Sequence, residues 1–146
     1  MKNTTITIDS RQDAGAPKAV NGVNLGPVEN NWSMNFTQEY KRARIPSVRL
    51  HDCCLRNLDV ADLHAIFPDP SADPDDADNY YFGQTDDYLQ AIRDAGAEIY
   101  FRLGETIEKQ PRKKYICPER WNPERLARVC VNIARHYNDG WAGGFD

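Results

Sequence analysis

Apolar residues along the chain fall into short alternating runs and longer helical stripes. Thr5-Ile6-Thr7-Ile8-Asp9 alternates polar and β-branched positions, the pattern of a half-buried strand. Turn formers without periodicity fill Ser10 to Pro17, so this strand is expected to pair away from the segment that follows. Ala19 to Pro27 reads as a short apolar strand broken by Gly22 and Gly26; it suits a close approach of backbones or ligand, and equally a plain turn-rich connection. Phe36 and Tyr40 share one side of a helix expected over Gln38 to Ala43, capped by Asn35 or Thr37. Pro46 ends it. In Ser47-Val48-Arg49-Leu50 the period changes to two, and this strand brings Arg49, His51 and Asp52 to its carboxyl end, where parallel α/β folds bind ligands.

A long excursion follows, Cys53 to Gly83. Within it Leu63 to Phe67 looks like a strand, and Asp69 to Asp78 is acidic and broken by proline. That acidic stretch lacks the central glycine and closing glutamate of a calcium loop, so a solvated loop is expected and no metal. Asn79-Tyr80-Tyr81-Phe82 returns the chain with aromatics suited to a sugar face or to plugging a rim. Tyr88, Leu89, Ile92 and Ala95 make a helical stripe with Thr85 as its cap and Gly96 as its stop. Ala97 to Gly104 reads as a buried strand that delivers Glu105 to the same end of the sheet as His51 and Asp52. Asn122 and Pro123 open a last helix whose face is Leu126, Val129, Cys130, Ile133, Ala134 and Tyr137. His136, beside that face, is expected as a satisfied surface histidine.

Three strands, each followed by a helix, define an α/β chain with a parallel sheet. A full (β/α)8 barrel needs about 250 residues, and this chain has 146. It is therefore expected to be an incomplete TIM barrel of about three βα units, or a small open sheet. The expected division is an N-terminal strand and linker over residues 1–18, then a partial barrel over 19–146. The net charge of −4, with 18 basic and 22 acidic residues, offers little to a polyanion, so nucleic acid is not an expected partner. The amino terminus has no apolar signal core and no apolar run nears membrane-spanning length, so a soluble cytoplasmic chain without a membrane partner is expected. Cys53, Cys54, Cys117 and Cys130 have neither zinc-site nor disulfide-framework spacing, and no cofactor is expected.

Val48-Arg49-Leu50-His51-Asp52, then Tyr81-Phe82 ahead of Asp86-Asp87-Tyr88, then Asp94 to Gly104, in that order, resemble the amino-terminal part of glycoside hydrolase family thirty-nine. This is the β-xylosidase and α-L-iduronidase family of retaining TIM-barrel glycosidases. The resemblance spans about Val20 to Phe145, and the amino-terminal strand Thr5 to Ile8 would then belong to an accessory β region. It implies a mechanism with two glutamates about 5 Å apart, one of them in an Asn-Glu-Pro motif that this sequence does not contain. It also implies that Arg49 keeps the nucleophile ionised and that His51 bonds a sugar hydroxyl. Asp52 replaces a glycine of the family, and Arg102 an acidic residue.

Arg49, His51, Asp52 and Glu105 are accordingly the expected carbohydrate contacts, with no catalytic pair in the chain. Asp52 and Glu105 could stand in for such a pair, since neighbouring strands lie about 4.8 Å apart, but polar residues gather at that rim whether or not they react. A non-catalytic domain holding a sugar between this rim and Tyr80, Tyr81 and Trp121 is the second reading, and an inactive fragment the third. In either, the uncovered sheet edge is a route to self-association.

Overall fold

The structure is a computed structural model that describes residues 4–13, 15–16, 18–29, 33–50, 60–105 and 121–146. Its centre is a three-stranded parallel sheet. Strand β1 (Val23–Asn24) lies beside β4 (Ser47–Arg49), and β4 lies beside β5 (Glu98–Tyr100). Val23 stands opposite Val48, and Arg49 stands opposite both Asn24 and Tyr100. The parallel order that alternating strands and helices imply is thus present, with shorter ladders than the apolar runs suggest. Backbone bonds from Leu25 N–H to Arg49 and from Leu50 N–H to Tyr100 extend the pairing past the last ladder residues.

Two helices flank the sheet. Helix α1 (Thr37–Ala43) begins after Asn35, whose side chain accepts the Thr37 N–H at 3.0 Å, and ends on Arg44 in the left-handed region. Helix α3 (Gly83–Asp94) buries Tyr88, Leu89 and Ile92 of the predicted stripe together with Ala91, and Ala95, just past its end, is buried as well. Gly96, at φ 80°, turns the chain into β5. Val48 and Leu50 point into the same core, with Val28, Val60, Ala61 and Ala97. Gly26 is needed where it stands, because a Cβ there would come within 2.9 Å of the Tyr88 ring, and its N–H donates to the Tyr88 hydroxyl.

Several expectations are corrected. Leu63 to Phe67 is no strand: Leu63–Ile66 is a short helix, α2, capped by Asp62, whose carboxylate accepts the His64 N–H at 3.2 Å. An Asx cap and an apolar run too short to show a period favour the helix. Thr85 does not cap α3, since it lies inside the helix and its buried hydroxyl donates to the Val60 carbonyl. Thr5 to Ile8 pairs with nothing among the described residues, and Ile6 and Ile8 are more than four-fifths exposed, so alternation without a partner gives no strand. A small antiparallel ladder of β2 (Val28–Glu29) and β3 (Met34–Asn35), too short for its pattern to be read, sits ahead of α1.

The excursion builds a second core. Leu63, Ile66, Phe67, Tyr80, Phe82 and Trp121 pack on Val129 and Ile133 of α4 (Pro123–Asn138). Its acidic stretch is structured: Asp69, Asp73 and Asp76 each accept the N–H two residues on. Helix α4 starts as predicted, with Asn122 accepting the Glu124 and Arg125 N–H groups at 3.0 and 3.1 Å. His136 is not at the surface. It is buried, stacked on Phe82 with ring centroids 3.5 Å apart, and bonded to Asp86 and the Trp141 carbonyl. Among the described residues, no helix is long and apolar enough to cross a membrane.

Candidate functional site

The two faces of the sheet differ in chemistry because side chains alternate along each strand. Val48 and Leu50 face the helices, so Ser47 and Arg49 face away from them. In this parallel register Asn24, Arg49 and Tyr100 form one cross-strand row on that open face, and all three are exposed. The row lines an open groove of about 580 Å³ together with Gly22, Ser47 and Glu98. That volume is within the range of small-ligand sites. Arg49 has no ion-pair partner among the described residues, and the Glu98 carboxylate shares the groove lining with its five N–H donors. Tyr100, 67% exposed, offers a ring face beside it.

Beyond the groove, at the carboxyl end of β5, charged groups converge. Arg102 lies two residues past Tyr100, on the same side by alternation. Its Nη2 donates to Asp62 Oδ2 at 3.2 Å and its Nη1 to the Glu105 carbonyl at 3.2 Å. Glu105 Oε1 accepts the Trp121 indole N–H at 3.1 Å. Asp62 is fully buried and accepts from His64 Nδ1 at 2.6 Å. The bond from Leu63 N–H to the Gly104 carbonyl, 3.0 Å long, ties the start of α2 to this strand end. The cluster is therefore a continuation of the sheet rim.

Of the four predicted contacts, Arg49 is on the open face, and Glu105 is at the rim with its carboxylate engaged by Trp121. His51 and Asp52 lie outside the described residues, as do Cys53, Cys54, Cys117 and the basic run Arg112-Lys113-Lys114. Tyr80 and Trp121 do not present ring faces to a ligand, because both are buried in the second core. Tyr81, 64% exposed, remains outward. Tyr100, Asp62 and His64 were not singled out from sequence, and Arg102 only as a departure from the family pattern. The period-two spacing of Tyr100 and Arg102 was the available signal for those two. Asp62-x-His64 carried only the mark of a helix cap. Among the described residues, no group of three His, Cys, Asp or Glu side chains is arranged to hold a metal ion.

No protein-family model matches the chain, and no curated protein sequence matches it. Its fold is glycosidase-like. It is similar to the crystal structure of a glucosidase from Croceicoccus marinus, with a TM-score of 0.68 and 28% sequence identity over 86% of this chain. The chain spans 26% of the length of that glucosidase.

Proposed function

We propose that this chain is the sugar-binding amino-terminal part of a retaining glycoside hydrolase of the family thirty-nine type. In this reading residues 19–146 form the first three βα units of a (β/α)8 barrel, with residues 1–18 as the segment leading in from an accessory β region. The observation that carries the proposal is the polar open face of a parallel sheet, in a chain similar to a glucosidase. In a closed barrel that face lines the interior and its carboxyl end forms the active site.

Arg49 and Glu105, with His51 and Asp52 beyond the end of β4, supply the carbohydrate contacts. Bidentate donors on Arg49 suit vicinal hydroxyls or a nearby nucleophilic carboxylate, and the Tyr100 ring suits the apolar face of a pyranose. This reading assigns the two carboxylates of retaining chemistry to residues outside this set, so the chain is expected to bind without cutting. The edge of β5, unpaired among the described residues, then favours self-association.

The test uses the chain itself with 4-nitrophenyl β-D-xyloside and β-D-glucoside. Saturation-transfer NMR should detect binding of at least one, and no nitrophenol should appear above the buffer rate. Turnover would overturn the assignment of the catalytic pair to residues outside this chain. Absence of binding to both would overturn the carbohydrate reading.

A further inference from the structure

The geometry points to Asp62 as a positioning residue that makes His64 Nε2 a hydrogen-bond acceptor for a sugar hydroxyl at the rim. This rests on the carbohydrate reading and adds to it a site that neither the sequence pattern nor the likeness to the glucosidase supplies.

Asp62 is fully buried, whereas the His64 side chain is about one-third exposed. One carboxylate oxygen accepts both the backbone N–H and the Nδ1 of His64, at 3.2 and 2.6 Å; the other accepts Arg102 Nη2 at 3.2 Å. A carboxylate accepts only, so the short contact fixes the proton of the neutral imidazole on Nδ1. Nε2, across the ring from the buried acid, then carries a lone pair on the exposed side. Among the described residues, His64 bonds to nothing but Asp62. The Leu63 to Gly104 bond sets His64 next to the Gly104-Glu105 turn, and Arg102 holds the same carboxylate from the strand. Among the described residues, the charged groups bonded into this cluster are Asp62 from the α2 cap and Arg102 from the end of β5, which also donates to the Glu105 carbonyl.

An ordinary helix cap requires less than this. Asparagine caps a helix as well as aspartate does, but an amide has one oxygen for the two sides that the carboxylate serves with two. An Asn that kept the cap would keep its oxygen on both His64 groups, so the informative change is removal of the acceptor. Asp62→Ala leaves Nδ1–H without a partner and should move the His64 tautomer toward Nε2–H, turning the acceptor into a donor.

The experiment is a long-range proton–nitrogen NMR spectrum of the histidine rings at about pH 8, where imidazole is ordinarily neutral, with His64 assigned by its loss in His64→Gln. The expected result is an Nδ1–H tautomer in the parent chain, shifted toward Nε2–H in Asp62→Ala. Binding of methyl β-D-xyloside and methyl β-D-glucoside is measured in parallel. His64→Ala should weaken binding about five- to tenfold, and His64→Gln, whose Oε1 stands near the Nε2 position, should restore most of it. An Nε2–H tautomer in the parent chain, or binding unchanged in His64→Ala, would overturn the inference while leaving the carbohydrate reading in place. Absence of glycoside binding by the parent chain would overturn both. Should Asp62→Ala fail to fold, the His64 pair still decides the matter, because that side chain is partly exposed.

Discussion

The two cores of this molecule are built from different bonds. Around β4 and α3 the buried contacts are mainly aliphatic, with Tyr88 the one fully buried ring among the described residues of that cluster, and the backbone bonds run along a parallel ladder. Under α4 the core is aromatic, and side chains clamp irregular backbone. Asn132 Nδ2 donates to the Pro74 carbonyl at 2.7 Å, the Tyr80 hydroxyl donates to the same carbonyl at 2.8 Å, and Arg125 donates to the Ser71 and Ala72 carbonyls. A strand and a helix satisfy their own backbone groups, whereas an excursion has to borrow donors from elsewhere. The excursion is thus held by specific polar side chains, and the sheet by apolar burial.

Removing a large side chain from either core gives the largest effects. Phe67→Ala should cost about 3–5 kcal/mol and Ile92→Ala about 2–5 kcal/mol in urea unfolding, both positions being fully buried. If Phe67→Ala produces a separate early transition, the excursion is an independent unit; a single transition shows that the two cores unfold together. The polar clamp comes next. Asn132→Ala leaves one side of the Pro74 carbonyl unpaired and should cost about 1–3 kcal/mol, with amide exchange rising over 69–80 and not in β4 or β5.

A pH effect divides the regions again. Burial, and then the nearby Asp86 carboxylate, push the Tyr137 phenol far above its ordinary value. The folded state keeps a proton that the unfolded chain gives up, so the stabilisation is complete below about pH 10 and is lost as pH rises further. The slope from this group should approach about 1.4 kcal/mol per pH unit, and Tyr137→Phe should remove that share of it. The smallest expected effect is Asn122→Ala, about 1 kcal/mol, from loss of the α4 cap.

The sheet region was legible because its rules are periodic. Val48 and Leu50 against Ser47 and Arg49 gave the face, and the stripe through Tyr88 and Ile92 gave the packed helix. The excursion was legible only as an excursion. A four-residue helix at Leu63–Ile66 has no period to show, and the depth of Tyr80 and Trp121 depends on α4, which arrives much later in the sequence. His136 sits at the edge of the α4 stripe, and its burial comes from Phe82, Asp86 and the returning Trp141. Of the site, Arg49 was readable from strand alternation. Asp62 and His64 were not, because an Asx cap looks the same whether or not it also aims an imidazole.

The central claim is that the open face of the β1, β4 and β5 sheet is a carbohydrate surface. Backbone amide shifts measured during titration with methyl β-D-xyloside and methyl β-D-glucoside, in the parent chain and in Arg49→Ala, test it most directly. The expected result is a set of shifts centred on Asn24, Arg49 and Tyr100, with affinity reduced about tenfold or more in Arg49→Ala. Shifts centred on the acidic turns of residues 69–78, or affinity unchanged in Arg49→Ala, would contradict it.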